Sequence, residues 1–91
     1  MGFFGFGRKK FTYKLVKNGR AKYIGSTNNP YRRNEEHSQK KDYDYMEVTS
    51  GRVSEREAER REARNLRSYR RATGRNPRYN KTSNGRFNKW Y

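Results

Sequence analysis

Asn18-Gly19, set between the runs FTYKLV and AKYIG, is the strongest local instruction in this chain. Both residues tolerate positive φ, so the pair turns the backbone tightly and commits Phe11 to Gly25 to a β-hairpin. Two registers compete. A two-residue loop at Asn18-Gly19 pairs Tyr13 with Ile24 and sends Tyr13 and Tyr23 to opposite faces. A three-residue loop, Lys17 to Gly19 with Gly19 left-handed, pairs Tyr13 with Tyr23 and Leu15 with Ala21. The second gathers Phe11, Tyr13, Leu15, Ala21 and Tyr23 on one face, against Lys14, Arg20 and Lys22 on the other. That cleaner sorting makes it the expected register.

The rest of the chain reads as elements added to this hairpin. Ser26 to Asn29 is a polar connection, and Asn29-Pro30 supplies an N-cap and a first-turn proline for a helix to about Lys40. This helix has few apolar residues and is expected to hold mainly through Tyr31 and the aliphatic stems of its long side chains. Arg33 and His37, four apart, share one of its faces. Asp42 to Ser50 alternates as a third strand does, and Gly51 ends it. Ser54-Glu55-Arg56-Glu57 is a capping box for a long helix from about Ser54 to Ala72, which Gly74 and Pro77 close before Pro77-Arg78-Tyr79-Asn80 returns extended. At 100° per residue, Ala58, Glu62, Asn65, Leu66, Tyr69 and Ala72 form one stripe of that helix. A carboxylate in such a stripe either pairs with one of the many arginines or holds a metal.

The expected fold is therefore α+β, an α/β sandwich with a small three-stranded antiparallel sheet flanked by two or three helices, spanning residues 11–80. Residues 1–10 (MGFFGFGRKK) read as a flexible glycine, phenylalanine and basic arm, and residues 81–91 as a basic, flexible tail.

Charge narrows the partners. Lys and Arg number 24 against 9 Asp and Glu, a net charge of +15 on 91 residues. A field of that size points to a polyanion, most often nucleic acid, bound in a salt-sensitive way. There are no cysteines and one histidine, which excludes disulfides, thiolate zinc sites and multi-histidine metal sites. Any metal would be held by oxygen, as Mg²⁺ is. No apolar run approaches the length of a membrane span, residues 1–10 are too short and glycine-rich for a signal peptide, and Phe6 stands where a myristoylation signal wants Ser or Thr. The sequence reads as that of an intracellular, soluble protein.

Hydrolysing a phosphodiester needs a base for water, a cation for the charge that develops on phosphorus, and usually a metal for the leaving oxygen. Tyrosine serves as base only if positive charge lowers its pKa, whereas His37 needs less tuning, so both stand as candidates. Set in order, Tyr13, Tyr23-Ile24-Gly25, Ser26, Arg33, His37, the pattern Ala58, Glu62, Leu66, and Tyr79-Asn80 resemble the GIY-YIG nuclease family. The first tripeptide departs from the family, with Phe11-Thr12-Tyr13 in place of Gly-Ile-Tyr, yet its tyrosine is kept. The interval from Glu62 to Tyr79 is longer than in compact members, which leaves Glu59 as a rival for the carboxylate.

The resemblance covers about Phe11 to Asn80 and implies a metal-dependent DNA endonuclease using Mg²⁺ or Mn²⁺. Tyr13 would act as general base or activate the water, and Tyr23 would hold it or the phosphate by hydrogen bonds. Arg33 would bind the scissile phosphate, Glu62 would hold the metal, and His37 and Asn80 would support them. Gly25, Ser26, Arg32, Arg33 and Asn80 would face nucleic acid. Each has a plainer reading: Tyr23 as core packing, His37 as helix surface, Asn80 as a turn former, and Arg33 as a solvated charge. With no room for a separate recognition domain in this length, the chain would cut loosely, recognise a DNA structure, depend on a homodimer or a protein partner, or use its basic ends for affinity. The alternative function is a non-catalytic basic nucleic-acid-binding module, or a component of a nucleoprotein assembly.

Overall fold

The computed structural model describes residues 9–80. In chain order the elements are β1 (Lys9–Lys17), β2 (Arg20–Thr27), α1 (Pro30–Ser38), β3 (Tyr45–Val48), β4 (Val53–Ser54) and α2 (Glu55–Thr73). β1 is central in an antiparallel sheet of order β2-β1-β3, and β4 pairs with its first two residues. The expected α+β architecture is present, with two helices. Lys9 and Lys10 belong to β1, so the arm expected over residues 1–10 gives way to strand two residues early. The rest of that arm and the basic tail lie outside the described residues.

The hairpin takes neither expected register. Asn18 and Gly19 adopt φ of 52° and 77°, the two-residue turn whose twist matches the flanking strands. Lys17 faces Arg20 and Val16 faces Ala21, but Leu15 then faces Tyr23, so Lys22 is an extra residue in a β-bulge. Tyr13 consequently faces Gly25, not Tyr23. The bulge flips the alternation, so Phe11, Tyr13, Leu15, Tyr23 and Gly25 still share a face. Ala21 moves to the other face and packs against Ile24, Leu66 and Tyr69.

Both faces of β1 are covered, which is why the adjacent pairs Thr12-Tyr13 and Leu15-Val16 are all buried. One face carries α2 through Ala58 and Leu66, its buried residues. Ala72, expected on the same stripe, is exposed because the helix end overshoots the sheet. Ser54 caps α2 by accepting from the Glu57 amide at 3.1 Å, while the Glu57 carboxylate turns to Arg61 at 2.9 Å instead of closing the capping box. Gly74, at φ 83°, ends the helix in the left-handed conformation.

The opposite face carries α1, capped by Asn29 accepting from the Arg32 amide at 3.1 Å. Its docking differs from expectation: Tyr31 is 89% exposed, and the buried residue of the helix is His37. A half-buried polar anchor assists, with the Tyr43 hydroxyl donating to the Asn34 carbonyl at 2.8 Å.

β3 is shorter than the Asp42–Ser50 segment, and side chains add to the backbone bonds to β1 that continue at Asp44 and Thr49. Asp44 accepts from the Asn18 amide at 3.0 Å, and the Ser50 hydroxyl accepts from the Thr12 amide at 3.0 Å. Along the outer edge of β2 the chain returns at Tyr79, whose amide donates to the carbonyl of the bulged Lys22 at 2.8 Å. Asn80 follows as a side-chain clamp: Oδ1 accepts from the Ile24 amide at 2.8 Å and Nδ2 donates to the Ile24 carbonyl at 2.9 Å. Among the described residues no helix is long and apolar enough to cross a membrane.

Candidate active site

The site forms where β2 passes from Tyr23 to Ser26. Gly25 lies opposite Tyr13, and a Cβ there would stand 2.7 Å from Tyr23 Cε2 and 3.0 Å from the Tyr13 hydroxyl. The missing side chain is the slot that admits both rings, whose centroids are 6.0 Å apart. Gly25→Ala is expected to destabilise the fold by about 1–3 kcal/mol, because the obstructing ring atoms are themselves packed and cannot retreat freely. A urea melt with an unchanged midpoint would contradict this account of the glycine.

His37 completes a three-ring cluster, 5.0 Å from Tyr23 and 5.8 Å from Tyr13 between centroids. Its Nε2 is 2.7 Å from the Tyr13 hydroxyl, and the bond is buried. Burial pushes the Tyr13 pKa far up, the nearby Tyr23 adds to the rise, and Arg33 and Glu62 act in opposite directions, the arginine lowering it and the carboxylate raising it. Tyr13 is therefore a phenol at neutral pH. His37 is lowered to about 4, first by burial and then by the positive charge of Lys41 and Arg33. With the phenol protonated and the imidazole neutral, the hydroxyl donates and Nε2 accepts.

The depressed histidine has a consequence for stability. Folded His37 stays neutral down to about pH 4, whereas the unfolded chain takes up the proton near the ordinary value of about 6.5. Between these values the unfolded state binds more protons, so stability falls as pH drops through that window and levels off below it. The loss is on the order of 3 kcal/mol. His37→Gln should flatten the dependence of urea-melt stability on pH over this range; an equally steep decline in the variant would count against it.

Arg33 sits on the same α1 face, its Nε 3.0 Å from the Glu36 carboxylate and its guanidinium near enough to Tyr13 to act on its hydroxyl by charge and hydrogen bonding. Arg32 points elsewhere, exposed and 3.8 Å from Glu36. On the α2 side, the Ser26 hydroxyl donates to Glu62 Oε1 at 3.2 Å. Neighbouring residues of a strand point to opposite faces. Gly25 therefore backs onto the tyrosines while Ser26 turns to the carboxylate, and the two halves meet across one strand. Of the two α2 carboxylates weighed, Glu62 is the one joined to this strand.

Tyr13, Tyr23, Arg33 and His37 are thus brought together, with Glu62 acting on Tyr13 from the other side. Asn80 is buried with both amide atoms on Ile24, so it positions the Tyr23–Gly25 stretch from behind. Sequence reasoning missed Lys41, whose Nζ lies 5.3 Å from the Tyr23 ring centroid and 5.8 Å from that of Tyr79. Burial lowers its pKa, with Lys40 adding to the effect. The available signal was its spacing, four residues beyond His37 and eight beyond Arg33. The turn after α1 carries that face onward, with the Lys41 amide donating to the His37 carbonyl at 2.8 Å.

Among the described residues no cluster of three or more His, Cys, Asp or Glu exists. The donors present, the Glu62 carboxylate with the Ser26 hydroxyl beside it, are hard oxygens. They fit Mg²⁺, which commonly takes one or two carboxylates and completes its shell with water and phosphate.

The fold and site together define a class: an α+β domain in which two tyrosines, a neutral histidine and an arginine face a single carboxylate across a sheet edge. No family model, curated protein or solved structure matches the chain.

Proposed function

We propose that this protein is a metal-dependent DNA endonuclease that hydrolyses phosphodiester bonds at the Tyr13–Glu62 site. The observation that carries the reading is the convergence at one point on β2 of a proton acceptor, a cation and a carboxylate. His37 accepts from Tyr13 at 2.7 Å, Arg33 acts on the same hydroxyl, and Glu62 is hydrogen-bonded to Ser26. The net charge of +15 supplies attraction for the DNA backbone.

Tyr13 is fully buried at rest, and Arg33 is the movable side chain beside its hydroxyl. A scissile phosphate draws the half-exposed Arg33 outward, which opens the Tyr13 hydroxyl to the attacking water. The water proton passes to the Tyr13 oxygen as the proton of Tyr13 passes to His37 Nε2, so no free phenolate forms. This relay avoids a free phenolate at Tyr13, and the bound phosphate, by adding negative charge while Arg33 moves away, raises the proton affinity of His37 above its resting value. Arg33 balances the charge that grows on the phosphate oxygens, and Tyr23, held under Lys41, fixes the ring of Tyr13. Glu62, with Ser26 orienting it, would hold Mg²⁺ or Mn²⁺, which supplies Lewis-acid stabilisation of the leaving 3′ oxygen.

The test is incubation of the purified chain with supercoiled plasmid, with and without magnesium. Magnesium-dependent conversion to nicked circles supports the reading. Salt-sensitive binding with no nicking in either condition would favour a non-catalytic nucleic-acid-binding module.

A further inference from the structure

An open pocket of about 430 Å³ lies at the end of the sheet, lined by Lys9, Lys10, Phe11, Asn28 and Arg52. We propose that it is a subsite for a nucleotide flanking the scissile bond on the same strand, with the phosphate on Lys9 and Arg52 and the base against Phe11. The proposal rests on the phosphodiester reading for its direction along the strand, and on the pocket itself for its chemistry.

Three cations from two parts of the chain converge there: Lys9 and Lys10 from β1 and Arg52 from the segment before β4. The acidic counterweight is small, since Glu55 reaches Lys10 at 3.7 Å and both are surface groups. Lys9 and Arg52 are exposed, as is Asn28, which adds an amide able to donate. Phe11 gives the pocket an apolar, half-buried wall. A planar ring beside phosphate-binding cations is the combination single-stranded nucleic acid exploits, because every base has a face to stack while the cations follow the backbone.

Placement strengthens the case. Phe11 faces Thr27, and two residues along the same face Tyr13 faces Gly25. Two strand residues span about 7 Å, so the Phe11 wall of the pocket lies about one or two nucleotides of backbone from Tyr13. The second large pocket, about 410 Å³, contains Lys14, Arg61 and Arg64 but lies under α2, on the far side of the sheet. There Lys14 is 3.8 Å from Glu47 and Arg61 is 2.9 Å from Glu57. The pocket at the sheet end is the one that shares the tyrosine face.

The experiment is binding without magnesium, where cleavage cannot intervene. The full chain, Lys9→Ala/Arg52→Ala and a charge-matched control on the outer face of α2, Arg67→Ala/Arg71→Ala, are titrated with a labelled oligonucleotide across salt concentrations. The pocket variant is expected to lose about tenfold in affinity and to flatten the salt dependence by one to two phosphate contacts, the control much less. Equal losses in the two variants would overturn the proposal. In parallel, thymidine 5′-monophosphate, thymidine and inorganic phosphate are titrated while the amide NMR signals of Phe11, Asn28 and Arg52 are followed. The nucleotide should shift these signals more than either fragment. Equal shifts from phosphate alone would reduce the pocket to a general anion site and overturn the nucleotide assignment. A chain that fails to nick plasmid yet passes both tests keeps the subsite and loses only the catalytic reading.

Discussion

Glu62→Ala is expected to reduce magnesium-dependent nicking by at least about 10³-fold, since losing the metal's hold on the leaving oxygen removes several kcal/mol of transition-state stabilisation. Folding and DNA affinity should change little. Glu62 is only half-buried, its hydrogen bond to Ser26 is a 3.2 Å contact, and binding draws on cations elsewhere. Removing the carboxylate also takes away a negative charge that raises the Tyr13 pKa. The magnesium dependence of residual nicking therefore reads the loss of the metal separately from that shift in Tyr13. Ser26→Ala should leave Glu62 in place but less well oriented, so its cost is expected to be about tenfold, comparable to other losses of a residue that orients a metal ligand. Nicking by Glu62→Ala at the wild-type rate would sink the endonuclease assignment.

Asn80→Ala is expected to damage the fold as much as truncation of a core side chain does. Its two amide atoms satisfy both the N–H and the C=O of Ile24, in a buried position on the outer edge of β2. Each buried backbone group left without a partner costs about 1–3 kcal/mol, so the variant should lose roughly 2–4 kcal/mol. A domain of this size has about 5–10 kcal/mol in total, and the expected drop in Tm is on the order of 10–20 °C. Asn80→Asp keeps the acceptor for the Ile24 amide but faces a carboxylate toward the carbonyl, so it should rescue little. Calorimetry of the two variants decides the matter. A Tm within a few degrees of the parent for Asn80→Ala would show that water or another group replaces the clamp. Because Ile24 lies between Tyr23 and Gly25, a surviving Asn80→Ala protein should also lose nicking activity in step with stability.

Local chemistry was legible wherever one residue governs one backbone feature. Asn29 and Ser54 cap their helices, Gly74 closes α2, and Asn18-Gly19 makes the turn, each because a short side chain or a positive φ meets a local need. Glu62 on the stripe that carries the buried Ala58 and Leu66 was legible too, since helical periodicity alone places it there. The tyrosine face was half legible. Tyr13 and Tyr23 do share it, but through a bulge at Lys22 that no turn rule in the hairpin requires.

That bulge satisfies demands from both sides of the sheet. It sends Ala21 to the α2 core and Tyr23 to the cluster with His37, and its extra carbonyl is taken by the Tyr79 amide from a segment more than fifty residues away. The docking of α1 is likewise tertiary. Aromatic size favoured Tyr31 as its anchor, yet the His37–Tyr13 hydrogen bond selects the face that turns inward and leaves Tyr31 in solvent. Lys41 and the clamp at Asn80 escaped for the same reason, as each owes its role to a partner distant in sequence.

By itself, then, the sequence determined the hairpin, the third strand and the two helices with their caps, the tight turn, the basic charge and the set of groups from which a phosphodiester site could be assembled, though not the short β4 or the start of β1 at Lys9. These follow from backbone propensity, periodicity and composition, which act within a few residues. Only the tertiary structure decided the register, the buried face of α1, the slot at Gly25 and the protonation states of Tyr13 and His37. Those depend on which surfaces exclude water together, and desolvation is a property of the packed whole that no single segment carries.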